Sequence, residues 1–175
     1  MPVVRWEQTH FSPGDDIKSL LDSIPSYAKS SIDVEIYGFT DMELVATLIS
    51  AKQRGVLVRI NADRSQAAGA SDNLALQKCV DAGLVVKVTE STRGAIDHLK
   101  MLIVDGALGP DSDSSSVLKG SYNFSNSAEQ QDNFVEWSND PGKVSQALAK
   151  FEDDWVHNKQ DPAWQLALSA QHVMR

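Results

Sequence analysis

The residues best placed to do chemistry are His98 and Lys100 in "HLKMLIVDG" and the later run "GSYN" at 120–123. An imidazole can act as nucleophile or proton donor near neutral pH, while lysine, serine and asparagine supply hydrogen-bond donors for the oxygens of a phosphate. Side chains alternate along a strand, so His98, Lys100, Leu102 and Val104 share one face, and Leu99, Met101, Ile103 and Asp105 share the other. If residues 98–105 pair with 116–123 about the polar loop "GPDSDSSS", loop symmetry predicts Lys100 opposite Ser121 and His98 opposite Asn123. That register gathers imidazole, ammonium, hydroxyl and carboxamide at the end of two strands away from the loop. A bare H-x-K is ordinarily a strand-edge histidine beside a solvated lysine, and the chain holds such a case. His157 and Lys159 in "HNK" follow a helical pattern, have Trp164 where an aspartate would be expected, and read as surface.

The longer pattern is H-L-K, four residues, Asp105, and then G-S-Y-N. It resembles the phospholipase D superfamily, whose signature is H-x-K-x4-D followed by G-S-x-N. "YGFTDMELVATLISAKQRGVLVRINADRSQ" (37–66), "HFSPGDD" (10–16) and "PGKVSQALAKFEDDW" (141–155) are similar to segments of its small bacterial endonucleases, so the resemblance covers roughly residues 10–160. The fold it implies is an α/β/α sandwich around a mixed β-sheet. Family members build one site from two such motifs, and this chain has one, so the resemblance implies a symmetric homodimer with both His98 residues facing one phosphate. It further implies a phosphohistidine intermediate, formed without metal or cofactor, in which Lys100, Ser121 and Asn123 hold the phosphate oxygens.

The family also places an acid after G-S-x-N to orient the nucleophilic imidazole. Aligning backward from Pro141 and Trp155 puts Asp132 where a glutamate is usual, and Glu136, on the same strand face, is the alternative. Asp105, on the face away from His98, is expected to anchor local structure. The interval from Asp105 to Gly120 is longer than the family's usual spacer, and the hairpin points it away from the site. The activity implied is a metal-independent endonuclease acting on DNA or RNA. A lipid phosphodiesterase and a non-catalytic nucleic-acid-binding domain are the alternatives.

The elements that must hold these residues read as alternating strands and helices. "DDIKSLLDSIPSYAKSS" has helical spacing that Pro25 must end or kink. "IDVEIYGF" alternates like a strand, and "DMELVATLISAKQRG" is an amphipathic helix with Asp41 as its cap. "VLVRINAD", a helix over 71–82 and the strand "LVVKVTE" follow, which argues for βαβ units. Then come two adjacent strands, a third at "NFVEW", a long helix from Pro141, and a helical tail over 161–175.

The 175 residues, 42% hydrophobic, suit one domain with its own core. A single cysteine, Cys79, excludes an internal disulfide and a cysteine-based zinc site. The formal net charge of −8 is a poor endowment for holding a polyanion by bulk electrostatics, so phosphate must be met by a local cationic pocket. Lys52, Arg54, Arg59, Arg64, Lys87, Arg93 and Lys100 are the candidates for it. No signal-peptide pattern or long apolar span is seen, so a cytoplasmic location without stable membrane association is expected.

Overall fold

The computed structural model describes residues 3–164. Its frame is an eight-stranded mixed sheet in the order β1-β7-β6-β5-β2-β3-β4-β8. The parallel part is β2 (Ser31–Ile36), β3 (Leu57–Asp63) and β4 (Val85–Glu90). These strands are linked through α2 (Met42–Gln53) and α4 (Ala70–Asp81). Asp41 caps α2 as its spacing predicts, its carboxylate accepting from the amides of Glu43 and Leu44. The antiparallel part is β5 (Lys100–Val104), β6 (Ser116–Gly120), β7 (Asn133–Ser138) and the N-terminal β1 (Glu7–Ser12). β2 joins the two parts, with β3 parallel on one side and β5 antiparallel on the other.

Strand alternation divides the core in two. Ile32, Val34, Ile36, Leu102, Val104 and Leu118 pack with α1 (Ile17–Ser23), α2 and α4. Met101, Ile103 and Val117 pack with Val144, Ala147 and Phe151 of α5 (Pro141–His157). Each such apolar side chain contributes about 2 kcal/mol on burial, so the strand that carries Lys100 is held firmly from both faces. Helices on both sides of a mixed sheet make the α/β/α sandwich expected from the sequence. Cys79 is buried in the larger core. Pro25 ends α1 as expected, and the chain continues as a single 3-10 turn over Ile24–Tyr27.

Among the strands and α-helices of the described residues, three escape the sequence reading: β1, the single-turn α3 (Arg64–Ala67) and the two-residue β8 (Lys159–Gln160). The expected tail helix begins at residues 162–164, where Trp164 is buried, and its remainder lies outside the described residues. Among the described residues, no helix is long and apolar enough to cross a membrane.

The β5–β6 register differs from expectation by one residue. Met101 pairs with Lys119, Leu102 with Leu118 and Val104 with Ser116, so one further step puts Lys100 across from Gly120, not Ser121. The cause is Asp105, which leaves the strand in a left-handed conformation (φ 53°) and opens a 3-10 turn over Gly106–Leu108. Its buried carboxylate accepts from the amides of Lys29 (3.0 Å), Ser30 (2.7 Å) and Ser31 (3.1 Å), tying the hairpin to the start of β2. The polar loop follows at this end of the sheet, opposite His98.

Candidate active site

Tyr37 and Gly38 follow the carboxyl end of β2, where ligands of open α/β sheets commonly bind. The Tyr37 amide donates to the Leu99 carbonyl at 3.0 Å, carrying the β2–β5 pairing one step past the strand. His98 then emerges exposed, and Lys100, next on the same face, is only 4% exposed. The Tyr37 ring lies beside both: its centroid is 4.6 Å from that of His98 at 62°, and 4.8 Å from Lys100 Nζ. Lys100 Nζ donates to the His98 carbonyl at 2.7 Å. Burial pulls the Lys100 ammonium down to about 8, against the opposing pull of Asp97 and Asp63. Its charge is thus held near His98 in a poorly hydrated place, where an arriving anion would interact strongly.

The second motif folds for steric reasons that can be named. A Cβ on Gly120 would lie 2.1 Å from the Phe134 carbonyl oxygen, so only glycine lets β6 and β7 approach there. The Ser121 amide donates to the Phe134 carbonyl (3.0 Å), while its hydroxyl accepts from the Phe134 amide (3.1 Å) and donates to Asn133 Oδ1 (3.0 Å). Tyr122 is buried, with its hydroxyl on Glu129 at 2.7 Å. Asn123 has left the strand. Its Oδ1 accepts from the Gly38 amide at 3.2 Å, so the carboxamide oxygen is committed to the backbone and the NH2 group is the part left to donate. A Cβ at Gly38 would press on the Asn123 carboxamide at 3.3 Å.

His98, Lys100 and Ser121 line one depression of about 440 Å³, together with Glu136 and the exposed Phe134. Asp132 is exposed and borders a neighbouring depression with Phe11, Asn133 and Ser121, which the two depressions share. Glu136 is paired with Lys143 at 3.0 Å and lies 4.0 Å from Lys119. Asn123 does not line this depression and is held instead against Gly38, after β2. His157, the control, is exposed at the end of α5 beside Asp153.

Of the other cations named from the sequence, four are drawn into structural roles, Arg54 donating to the Pro25 carbonyl at 2.8 Å. Arg59 pairs with Asp33 (2.7 Å) and Glu152 (2.6 Å) and stacks over Phe151. Lys87 donates to the Trp155 carbonyl, and Arg64 pairs with Glu90. Two residues that sequence reasoning passed over matter here, Tyr37 and Gly38. The one signal for them was their position directly after a strand, in the "YGFT" run.

Among the described residues, two groups of three carboxylates come close enough to hold a metal ion: Asp22, Asp41 and Glu43, and Glu35, Asp97 and Asp154. The first already surrounds the Lys18 ammonium.

Residues 20–155 match the family model described as cardiolipin synthase, PLD-like domain. A phospholipase D of Rickettsia prowazekii is 34% identical over 106 residues, covering 59% of this chain and 45% of that protein. A phospholipase D of Rickettsia typhi is 32% identical over 129 residues, covering 73% and 56%. The chain spans about half the length of these curated relatives. Among solved structures, Nuc from Salmonella typhimurium, a phospholipase D family member, superposes with a TM-score of 0.78 at 26% identity, covering 90% of this chain and 99% of Nuc. NucT from Helicobacter pylori shares the fold, with a TM-score of 0.73 at 19% identity over 90% of this chain and 100% of NucT.

Proposed function

The chain belongs to the phospholipase D superfamily, and on that premise we propose that it is a metal-independent phosphodiesterase, an endonuclease that cuts DNA or RNA in a site shared by two protomers. The observation that carries this reading is an exposed imidazole beside a nearly buried ammonium at the carboxyl end of β2. His98 of one protomer attacks phosphorus, and the ester oxygen leaves with a proton from the second protomer's His98. That second imidazole then takes a proton from water. The water oxygen attacks phosphorus, the P–N bond breaks, and the first imidazole is regenerated.

Lys100, Asn123 and Ser121 hold the non-bridging oxygens as negative charge builds, the task a metal ion performs in other phosphodiesterases. The NH2 of Asn123, whose oxygen is held by Gly38, and the desolvated Lys100 suit that work. Asp132 or Glu136 would orient the imidazole. Glu136 shares the depression with His98, whereas Asp132 borders the neighbouring one with Ser121. A second reading, a lipid phosphodiesterase, is favoured by the curated relatives' name.

The deciding experiment incubates wild type and His98→Ala with single-stranded DNA, duplex DNA, RNA and phosphatidyl vesicles in EDTA. Cleavage of a nucleic acid that survives EDTA and vanishes in the variant is expected. Cleavage of vesicles alone would move the assignment to lipid, and no cleavage at all would leave a binding domain.

A further inference from the structure

Asp97, next to the nucleophile in sequence, points to the opposite face of the sheet, under α5, and there it meets two other acids. One carboxylate oxygen from each of Glu35, Asp97 and Asp154 lies within 4.8 Å of the others. All three residues are buried, Glu35 completely. Glu35 Oε1 accepts from Asn61 Nδ2, and Asn61 Oδ1 accepts from Thr89 at 2.9 Å, so a polar chain crosses β4, β3 and β2 toward the site. Glu35 Oε2 and Asp154 Oδ2 are buried without a donor among the described residues. Asp97 accepts from Asn158 Nδ2 and from the Leu99 amide, both at 3.3 Å, and its own amide donates to Asp63 at 2.6 Å.

The charged groups around Glu35 are Asp97, Asp154 and Lys150 of α5, which pairs with Asp154, while Lys100 feels the charge of both Asp97 and the buried Asp63. Two ammonium groups thus face four carboxylates. Glu35 is fully buried and one of its oxygens meets no donor among the described residues, so an ionised Glu35 would be an uncompensated buried charge that a proton removes. Burial, and then Asp97, push the Glu35 carboxyl well above its ordinary range, in keeping with that count.

We infer that Glu35 is a positioning residue for the proposed reaction: held as the neutral acid, it donates its proton to Asp97 and so fixes, from the far face of the sheet, the backbone that carries His98. Asp97 is anchored through this proton and through Asn158. His98 is therefore steered without being touched. The role rests on His98 being the nucleophile, but the presence of the proton does not.

Infrared spectra at pH 7 should show a carboxylic-acid carbonyl band in wild type that is missing from Glu35→Gln. The Gln amide keeps a donor toward Asp97, so kcat on bis(p-nitrophenyl) phosphate should stay within about threefold of wild type. Glu35→Met removes the donor and should lower kcat about tenfold at unchanged KM, with a cooperative melt showing that the fold is kept. In the same variant the His98 ring resonances should shift in NMR, a readout that needs no turnover. An absent band, a band surviving in Glu35→Gln, or unmoved His98 resonances in Glu35→Met would overturn the inference. So would saturable terbium or calcium binding that Glu35→Gln abolishes. If no phosphodiester is turned over, the band and the resonances still decide.

Discussion

In the proposed reaction Lys100 must be a cation to hold a phosphate, yet it is buried where a cation is costly. With the ammonium pulled down from 10.5 to about 8, activity is expected to fall as pH rises through about 8. Stability should move the other way. Between about 8 and 10.5 the unfolded chain keeps a proton that the folded chain has lost, so this group makes the fold more stable as pH rises across that window. Parallel pH–rate and pH–melting profiles check both, and Lys100→Met should remove this part of the stability gain along with the activity. His98, Lys100, Ser121 and Asn123 were legible in the sequence because each carries reactive chemistry at a fixed interval. Tyr37 and Asp97 were not. An aromatic after a strand reads as core and an aspartate before one reads as surface, and only the folded chain shows the ring against both motif side chains and Asp97 buried among acids.

At the scale of elements, the hairpin depends on two residues with no part in the proposed chemistry. Gly120→Ala would drive a methyl group into the Phe134 carbonyl, so β7 must shift. A loss of about 3 kcal/mol in denaturant unfolding is expected, with activity falling alongside because Ser121 follows directly. Asp105→Ala would strip the acceptor from the amides of Lys29, Ser30 and Ser31 and leave a left-handed residue without its polar side chain. It should cost about 3 kcal/mol, and Asp105→Asn clearly less, since asparagine tolerates that conformation and keeps an oxygen. The same residue shows why periodicity found the strands but missed their register. Alternation fixes which face a side chain takes, whereas pairing is set by how the turn begins, and here it begins one residue early.

At the scale of the whole molecule, the described chain offers half of the proposed site, with Phe11 and Phe134 exposed beside it. If both His98 residues of a dimer are needed, co-refolding wild type with His98→Ala should give activity that falls as the square of the wild-type fraction, about a quarter at equal amounts. A linear fall would mean that each protomer works alone. Phe134→Asp should yield an inactive monomer in sedimentation, with secondary structure unchanged in circular dichroism. The sheet also has a history written into its order. Among the described residues β1 has one strand neighbour, β7, with Glu7 opposite Ser138 and Ser12 opposite Asn133, so a strand made early pairs with one made more than a hundred residues later. During synthesis the β2–β4 units can close locally while β1 waits, its edge unpaired, for more than a hundred further residues. Slow translation therefore lengthens the exposure of this one strand above all others, and a growing chain stalled before residue 133 would display it to chaperones or to other copies of itself.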